Sequence, residues 1–326
     1  MSMKIKLWGV RGSLPAPQTP EARERRLRFV LGEFLGRGLS AKSEIDTFLK
    51  SLPDHLRRGF GGNTACIEVL TDKTQVIIDG GSGLRRLGEK LIGGPCGSGR
   101  GEVHIFFTHF HWDHLIGLPF FIPIFIPGNQ IHFHAVQPDL ETVIRTVFSK
   151  PFFPVPFEQL QAKITFHRLQ PRAPLQHGDL LLTPYQLDHP DPCWGYRFEH
   201  GGKVFSYCVD TEATRVSAKD LGPDLPLYQN VDLMLFDAQY TLLEAAEKIN
   251  WGHAAAPIGL DIALREGIKK ILFAHHDPAA SDEKIADAEQ QTREYHSAYL
   301  DSARASNKSL PHVEWSFATE GMLVTV

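Results

Sequence analysis

Cysteine is scarce in this sequence, and the few cysteines form no redox or zinc motif. The 326 residues include only Cys66, Cys96, Cys193 and Cys208, and no two of them stand in a C-x-x-C arrangement. So few cysteines in a chain of this length are not typical of a disulfide-stabilised secreted protein. We therefore expect reduced thiols and a cytoplasmic location.

A long apolar run is also missing. The longest apolar stretch, residues 115–126, is interrupted by Pro119 and Pro123. It is too short to cross a bilayer, which takes about 20 residues. The first residues enter a predicted strand directly and show no apolar signal-peptide core. These features predict a protein that has no membrane contact.

The sequence has no excess of positive charge. Its net charge is −4, with 22% charged and 42% hydrophobic residues. This composition is typical of a globular protein. Because no overall basic field exists to hold a long polyanion, binding to long nucleic acid is not expected.

Histidine and aspartate are instead concentrated in one short stretch, T-H-F-H-W-D-H, that follows the strand-like apolar residues 103–107. Its four potential metal ligands are His109, His111, Asp113 and His114. Imidazole and carboxylate groups at this density are typical of a Zn²⁺ site, with Mn²⁺ or Fe²⁺ as alternatives. One ion cannot use all four side chains and keep an open coordination position. The pattern therefore predicts two adjacent divalent ions.

The order H-x-H-x-D-H resembles the metal signature of the metallo-β-lactamase superfamily, a large group of binuclear hydrolases, and the resemblance covers nearly the whole chain. It implies an α/β fold, the four-layer αββα sandwich, with the metals at one edge of the two sheets. It also implies three more ligands, each after a predicted strand: His189, Asp210 and His275. His276 competes with His275 for the last position.

The resemblance also distributes the roles among these residues. One ion would be held by His109, His111 and His189, the other by Asp113, His114 and His275, with Asp210 bridging them. By the same resemblance Asp79, at another strand end, would accept a hydrogen bond from a ligand histidine; the alternative is a turn-forming aspartate. A water shared by the ions would become hydroxide near neutral pH and attack the substrate, and Asp113 can receive its proton.

Two further pairs of segments resemble ribonuclease Z and the cyclic-phosphate phosphodiesterases. They are D-A-Q-Y at 237–240 with G-H at 252–253, and W-G-V-R-G-S at 8–13 with G-G-N-T at 61–64. In that branch the histidine contacts the scissile phosphate and helps to protonate the leaving oxygen, a role that falls here to His253. The alternative is a helix-start histidine that only packs. Those enzymes commonly carry Ser-Thr after this histidine, where this chain has Ala254 and Ala255, so the phosphate contact and the substrate stay open.

These patterns together predict a binuclear metal-dependent hydrolase, most simply a phosphodiesterase for a small phosphodiester, with cyclic phosphodiesters among the candidates. No long flexible arm of the kind with which ribonuclease Z grips tRNA is recognisable, which also favours a small substrate. One alternative is a thioester or lactone hydrolase of the same fold. The other is a metal-bearing sensor or interaction module.

A helical segment at about 18–58 interrupts a predicted N-terminal β-hairpin. Apolar residues at helical spacing, such as Leu27 and Leu31 and later Phe48, predict two helices there. We predict one domain spanning 1–326, with this segment as an insertion. The insertion would cover the site or form a homodimer contact, or else be a solvated hairpin without a functional role.

Two more histidines belong to a predicted strand. His132 and His134 alternate with Ile131 and Phe133, so they face the opposite side of the sheet from these apolar residues. We expect them to be covered surface histidines rather than ligands.

Overall fold

Two seven-stranded sheets form the centre of the protein. The computed structural model describes residues 2–214 and 216–326. In chain order the strands are β1 (Lys4–Gly9), β2 (Cys66–Leu70), β3 (Gln75–Ile78), β4 (Glu102–Phe106), β5 (Gln130–Ala135), β6 (Lys163–Arg168), β7 (Leu175–His177), β8 (Leu180–Gln186), β9 (Trp194–His200), β10 (Lys203–Cys208), β11 (Leu233–Asp237), β12 (Lys270–Ala274), β13 (Glu314–Phe317) and β14 (Leu323–Thr325). The first sheet has the order β14-β1-β2-β3-β4-β5-β6, and the second has the order β13-β12-β11-β10-β9-β8-β7.

Helices cover the outer faces of both sheets. In chain order the α-helices of the described residues are α1 (Pro20–Gly36), α2 (Ile45–Ser51), α3 (Asp54–Arg57), α4 (Gly83–Ile92), α5 (Trp112–Leu115), α6 (Leu140–Val147), α7 (Ala218–Leu221), α8 (Leu242–Glu247), α9 (Ala256–Glu266) and α10 (Asp282–Ala305). Within the described ranges, none of the helices combines the length and apolarity needed to cross a bilayer.

Three apolar layers hold the sheets and helices together. Between the two sheets, Phe106 of the first sheet is buried with Tyr196 and Phe205 of the second. Leu84 of α4 packs in the layer outside the first sheet, and Leu260 of α9 packs in the layer outside the second. This layering confirms the predicted αββα sandwich.

Parallel strands in both sheets determine where the polar residues collect. Strands β3 to β6 are parallel to one another in the first sheet, and β10 to β13 are parallel in the second. Such strands, covered on both faces, are apolar along their length, as β11 shows with five buried residues. Their carboxyl ends lie at one edge, where the chain leaves the sheet and polar side chains become available.

The predicted helical segment at 18–58 contains α1, α2 and α3 and lies between β1 and β2. Helix α1 has no buried side chain. It contacts α2 through the rings of Phe34 and Phe48, whose centroids lie 5.1 Å apart. It contacts α10 through an ion pair of 3.5 Å between Arg26 and Asp282. The single-domain assignment and the role of this segment stay predictions.

A buried arginine connects the end of β1 to the loop after β12. Arg11 donates from Nε to the carbonyl of Gly61 at 2.8 Å, and from Nη1 to the carbonyls of Asp277 and Ala280, both at 2.9 Å. Its Nη2 atom also lies 3.5 Å from Asp282. Burial lowers the pKa of Arg11, although Asp282 opposes this shift, and a guanidinium stays charged at neutral pH. Arg11 therefore fixes the loop that follows His275.

Replacing Arg11 with methionine is expected to lower the free energy of unfolding by about 3 kcal/mol or more. The reason is that three carbonyls lose a charged donor, and each such hydrogen bond contributes about 1.5–3 kcal/mol. Denaturant titration measures the change. The control is Arg28→Met on the exposed face of α1, where the ion pair with Glu24 should contribute under about 1 kcal/mol. Equal losses in the two variants would refute the structural role of Arg11.

Candidate metal centre

The H-x-H-x-D-H run starts just beyond the end of β4 and continues into α5. His109 precedes the helix, and Asp113 and His114 lie within it. These three residues are buried, whereas 47% of the His111 side chain is exposed. The run therefore presents its side chains at the carboxyl edge of the first sheet, as the sequence predicts.

The structure brings all seven predicted ligands together in two adjacent groups. One group is His109, His111 and His189, and the other is Asp113, His114, Asp210 and His275; in each, the candidate ligand atoms lie within 4.8 Å of one another. The two groups adjoin, because the rings of His109 and His114 have centroids 4.4 Å apart. The geometry agrees with a pair of ions, and the ligand roles stay predictions.

The inward-facing atoms of these groups are suited to a cation. His109 Nε2, His114 Nε2, His189 Nε2 and Asp210 Oδ2 are buried and have no hydrogen-bond partner among the described residues. His114 Nε2 lies 3.1 Å from Asp210 Oδ2, but not in a hydrogen-bonding direction. An unsatisfied buried polar group costs about 1–3 kcal/mol. Divalent ions would satisfy these atoms, so the residues present fit the metals that the resemblance implies.

The outer nitrogens of the same histidines are each held by an oxygen atom. His109 Nδ1 lies 3.1 Å from the Thr108 hydroxyl, and His189 Nδ1 lies 3.0 Å from the Asp191 carbonyl. His114 Nδ1 lies 2.8 Å from Asp79, and His275 Nδ1 lies 3.2 Å from Asp237. His189 Nδ1 also lies 3.2 Å from the backbone nitrogen of Asp191. Wherever Nδ1–H donates outward, the Nε2 lone pair of that ring points inward. Such partners fix the tautomer and orientation of a ligand histidine.

Asp79 contacts a candidate ligand, as the resemblance implies. Besides His114, its carboxylate accepts the backbone N–H of Thr108 at 2.9 Å and the hydroxyl of Tyr207 at 3.3 Å. It therefore links the ligand loop of the first sheet to a strand of the second.

Asp237, at the end of β11, is a residue whose role the sequence reasoning missed. Its Oδ2 atom accepts from His253 Nδ1 at 3.0 Å, from His275 Nδ1 at 3.2 Å and from the backbone N–H of Asp210 at 3.1 Å. Its Oδ1 atom accepts the backbone N–H of Ala254 at 3.0 Å. The sequence signal for Asp237 was its position at the end of a buried strand. Asp79 has a similar position, one residue after the end of β3.

Ser13 was missed as well. Its backbone N–H donates to Asp113 Oδ2 at 2.9 Å, and its φ of 59° is in the left-handed region. Asp79, Asp210 and His275 share this conformation, with φ values of 61°, 63° and 65°. For residues other than glycine this conformation costs of order 1–3 kcal/mol and is concentrated at functional sites. The backbone strain here lies where the side chains converge.

Opposite charges offset the burial of these groups. Burial would raise the pKa of Asp113, but His114 and His275 outweigh it and hold this pKa well below its usual value. Burial would likewise lower the pKa of His114, but Asp113, Asp210 and Asp79 together raise it well above the usual value. Asp113 is therefore ionised at neutral pH and supplies negative charge that a cation needs.

His275 and His276 face in different directions. His275 Nε2 lies 3.0 Å from Asp113 Oδ2, inside the site. His276 Nε2 instead contacts the carbonyl of Ala318 at 2.9 Å, and its ring is parallel to that of Phe317. Burial lowers the pKa of His276 to about 3. The structure therefore places His275, and not His276, among the candidate ligands.

His253 lies beside both groups. Its ring centroid is 5.0 Å from that of His275 and 6.3 Å from that of His189. The preceding Gly252 has a φ of 85°, and a Cβ atom there would come within 2.3 Å of the His189 ring. This glycine allows the segment that carries His253 to pass close behind His189.

Comparison with known proteins identifies a family whose sequence model matches this chain. The family described as "Beta-lactamase superfamily domain" matches residues 74–276, more than half of the chain. Ribonuclease Z of Staphylococcus carnosus is 26% identical over 145 residues, covering 41% of this chain and 42% of that protein. Ribonuclease BN of Cronobacter sakazakii is 29% identical over 236 residues, covering 55% and 72%. The chain thus spans less than half of the Staphylococcus relative.

A solved structure shows the same fold over the full length. The metallo-beta-lactamase fold protein YhfI from Bacillus subtilis matches with a TM-score of 0.61 and 15% identity, covering 100% of this chain and 99% of that chain. At this identity the likeness concerns the fold alone.

The position of Asp237 leads to a prediction about metal affinity. Asp237→Asn should preserve the fold but weaken Zn²⁺ binding by about 10- to 100-fold. The reason is that a neutral amide replaces the carboxylate that accepts from His275 Nδ1 and orients this ring. Competition with a chromophoric chelator measures the affinity.

The matched control is Asp261→Asn, whose carboxylate contacts the hydroxyl of Tyr295 on α10. It should leave Zn²⁺ affinity unchanged. A similar loss in both variants would show that Asp237 acts only through overall stability.

Proposed function

The chain belongs to the beta-lactamase superfamily, and from this membership and the site geometry we propose that it is a binuclear metal-dependent phosphodiesterase. The family and its relatives support a metal-dependent hydrolase acting on phosphoesters. Both curated relatives reported above are named ribonucleases, and RNA is joined by phosphodiester bonds. The observation that carries the proposal is the position of His253 beside the two candidate ligand groups.

The donor set suits two divalent ions, with Zn²⁺ preferred for its many imidazoles and Mn²⁺ or Fe²⁺ as alternatives. When bound, such ions polarise a phosphoryl oxygen and lower the pKa of the attacking water. Asp113 is the proposed acceptor of the proton from that water. Its Oδ2 atom accepts the backbone N–H of Ser13 at 2.9 Å and lies 3.0 Å from His275 Nε2.

His253 is the proposed proton donor to the leaving oxygen. Its Nδ1–H donates to Asp237 at 3.0 Å, which leaves Nε2 to carry the proton that is transferred. A charged imidazole also offsets the negative charge that develops on the phosphoryl oxygens in the transition state. Asp237 stabilises that positive charge because its carboxylate is ionised. Burial alone would raise the pKa of Asp237, but His253 and His275 outweigh burial, and the net effect is a lowered pKa.

The surroundings of the site favour a small substrate, and a cyclic phosphodiester is one candidate. A cavity of about 390 Å³ opens beside the first ligand group and is lined by His109, His111, Gln137 and Trp194, among others. This volume is in the range of small-molecule sites. A larger cavity of about 990 Å³ lies between α1, α3 and α10, away from the candidate ligands, and we do not assign the reaction to it.

Replacing His253 with alanine tests the proposed mechanism. With the Zn²⁺-, Mn²⁺- or Fe²⁺-loaded protein and a cyclic nucleotide, whose alkoxide leaving group needs a proton, the turnover number should fall by about 10²- to 10⁴-fold. With bis-p-nitrophenyl phosphate, whose leaving group departs as a stable anion, the fall should be smaller. The metal content should change far less, because His253 is outside the two ligand groups. Steady-state rates and elemental analysis of the same samples measure both quantities.

His312→Ala, in the loop before β13, is the control and should keep the full rate. Absence of turnover with every metal would argue against phosphodiester hydrolysis. Hydrolysis of thioesters or lactones that survives His253→Ala would instead identify the other kind of hydrolase.

The size of the substrate can be tested by competition. Excess tRNA should leave the hydrolysis of bis-p-nitrophenyl phosphate unchanged even at low salt, where binding of a polyanion to a protein is strongest. Inhibition that disappears as salt is raised would show that the protein holds long nucleic acid. The measurement is the initial rate with and without tRNA at two salt concentrations.

A further inference from the structure

A second group of histidines lies between the two sheets, away from the candidate metal centre. It consists of His104 on β4, His132 and His134 on β5, His167 on β6 and His177 on β7. His104 is the middle residue of β4, and the candidate centre begins beyond the carboxyl end of that strand. The group formed by Glu102, His104 and His132 shares no residue with the two candidate ligand groups.

The sheet register brings these histidines into contact. His104 is paired with His132 across β4 and β5, and His134 is paired with His167 across β5 and β6. The rings of His104 and His132 are stacked with centroids 4.4 Å apart, and His134 and His167 are stacked at the same distance. Ile131 and Phe133 on the same strand pack in the layer outside the sheet, which leaves His132 and His134 on the face toward the second sheet.

Hydrogen bonds determine which ring nitrogens are free. His104 Nδ1 lies 3.0 Å from His134 Nε2, and His132 Nδ1 lies 3.0 Å from His167 Nε2. His104 Nε2 is itself hydrogen-bonded to Glu102 Oε1 at 3.2 Å. In the tautomer whose Nδ1–H donates in both histidine contacts, the Nε2 lone pairs of His104 and His132 are available to a cation. His132 Nε2 is buried and makes no hydrogen bond within residues 2–214 and 216–326.

Both of these Nε2 atoms face the same carboxylate. Glu102 Oε1 lies 3.2 Å from His104 Nε2 and 3.6 Å from His132 Nε2. Ligand atoms around a tetrahedral Zn²⁺, with bonds of about 2.0–2.1 Å, stand about 3.3–3.4 Å apart. The two separations from Glu102 Oε1 are close to this spacing, and all three candidate ligand atoms lie within 4.8 Å of one another.

We propose that Glu102, His104 and His132 form a metal site, separate from the candidate centre, for a divalent transition ion that prefers imidazole, such as Zn²⁺ or Ni²⁺. Because the two rings are stacked nearly in parallel, they must tilt toward each other to share the ion. The Glu102 side chain is 60% exposed, so it can follow this movement and admits the ion from solvent. His134 contacts Nδ1 of His104, and His167 contacts Nδ1 of His132. Partners of this kind orient metal-bound histidines. His132 would then be a ligand rather than the covered surface histidine that its sequence pattern suggests.

The difference in bound Zn²⁺ between the full chain and its Glu102→Ala variant tests this site. After equilibrium dialysis against Zn²⁺ and elemental analysis, Glu102→Ala should bind one equivalent less than the unaltered chain. Its hydrolytic rate should be unchanged. Because Glu102 is exposed, this variant should fold even if His132→Ala, which should also lose one equivalent, does not.

The matched control is Glu158→Ala, another exposed glutamate, which should bind as much Zn²⁺ as the unaltered chain. In an Asp210→Ala background, where the candidate centre is impaired, Glu102→Ala should still remove one equivalent. If the protein showed no phosphodiesterase activity, the difference in Zn²⁺ content between the chain with Glu102 and the Glu102→Ala variant would still be expected. Equal Zn²⁺ content with and without Glu102 in both backgrounds would overturn the site.

Discussion

Charge compensation among buried aspartates and histidines is the constraint on which the rest of the site depends. Asp79, Asp113, Asp210 and Asp237 are all buried, and an isolated carboxylate at such depth would be very costly. Each contacts at least one imidazole, and three imidazoles, those of His114, His253 and His275, each contact more than one carboxylate. Removing one charge would therefore leave others uncompensated, so these side chains act as a unit rather than as independent ligands.

This unit requires the two sheets to keep one relative position. The first sheet supplies His109, Asp113 and His114, and the second supplies Asp210 and His275. Two buried tyrosines of the second sheet hydrogen-bond to the ligand side of the first: Tyr196 donates to the carbonyl of Phe107 at 2.6 Å, and Tyr207 donates to Asp79 at 3.3 Å. Burial raises the pKa of both hydroxyls well above the usual value, so they remain donors. The apolar layer between the sheets thus also aligns the ligands.

The sequence was sufficient to predict the layered fold and the residues that the structure brings together, because each of them follows an apolar strand and belongs to a recognisable pattern. It could not reveal the role of Ser13, whose contribution is a backbone N–H in an unusual conformation. Asp237 was visible within D-A-Q-Y, but its contacts to His253 and His275 arise only when parallel strands meet at one edge. For the same reason the histidines of β4 and β5 looked unrelated, since their proximity depends on the register between strands.

The wall of the cavity is connected directly to the ligand loop. Gln137 donates from Nε2 to the carbonyl of Thr108 at 2.8 Å and to that of Pro192 at 2.7 Å. Thr108 precedes His109, and Pro192 follows Asp191, which contacts His111 at 2.8 Å and His189 at 3.0 Å. One amide therefore joins the loops that carry the first ligand group and line the cavity. Because the fold alone does not determine the substrate, these loops are where the cavity could differ from that of other members of the family, and a change in its wall would also shift the candidate ligands beside it.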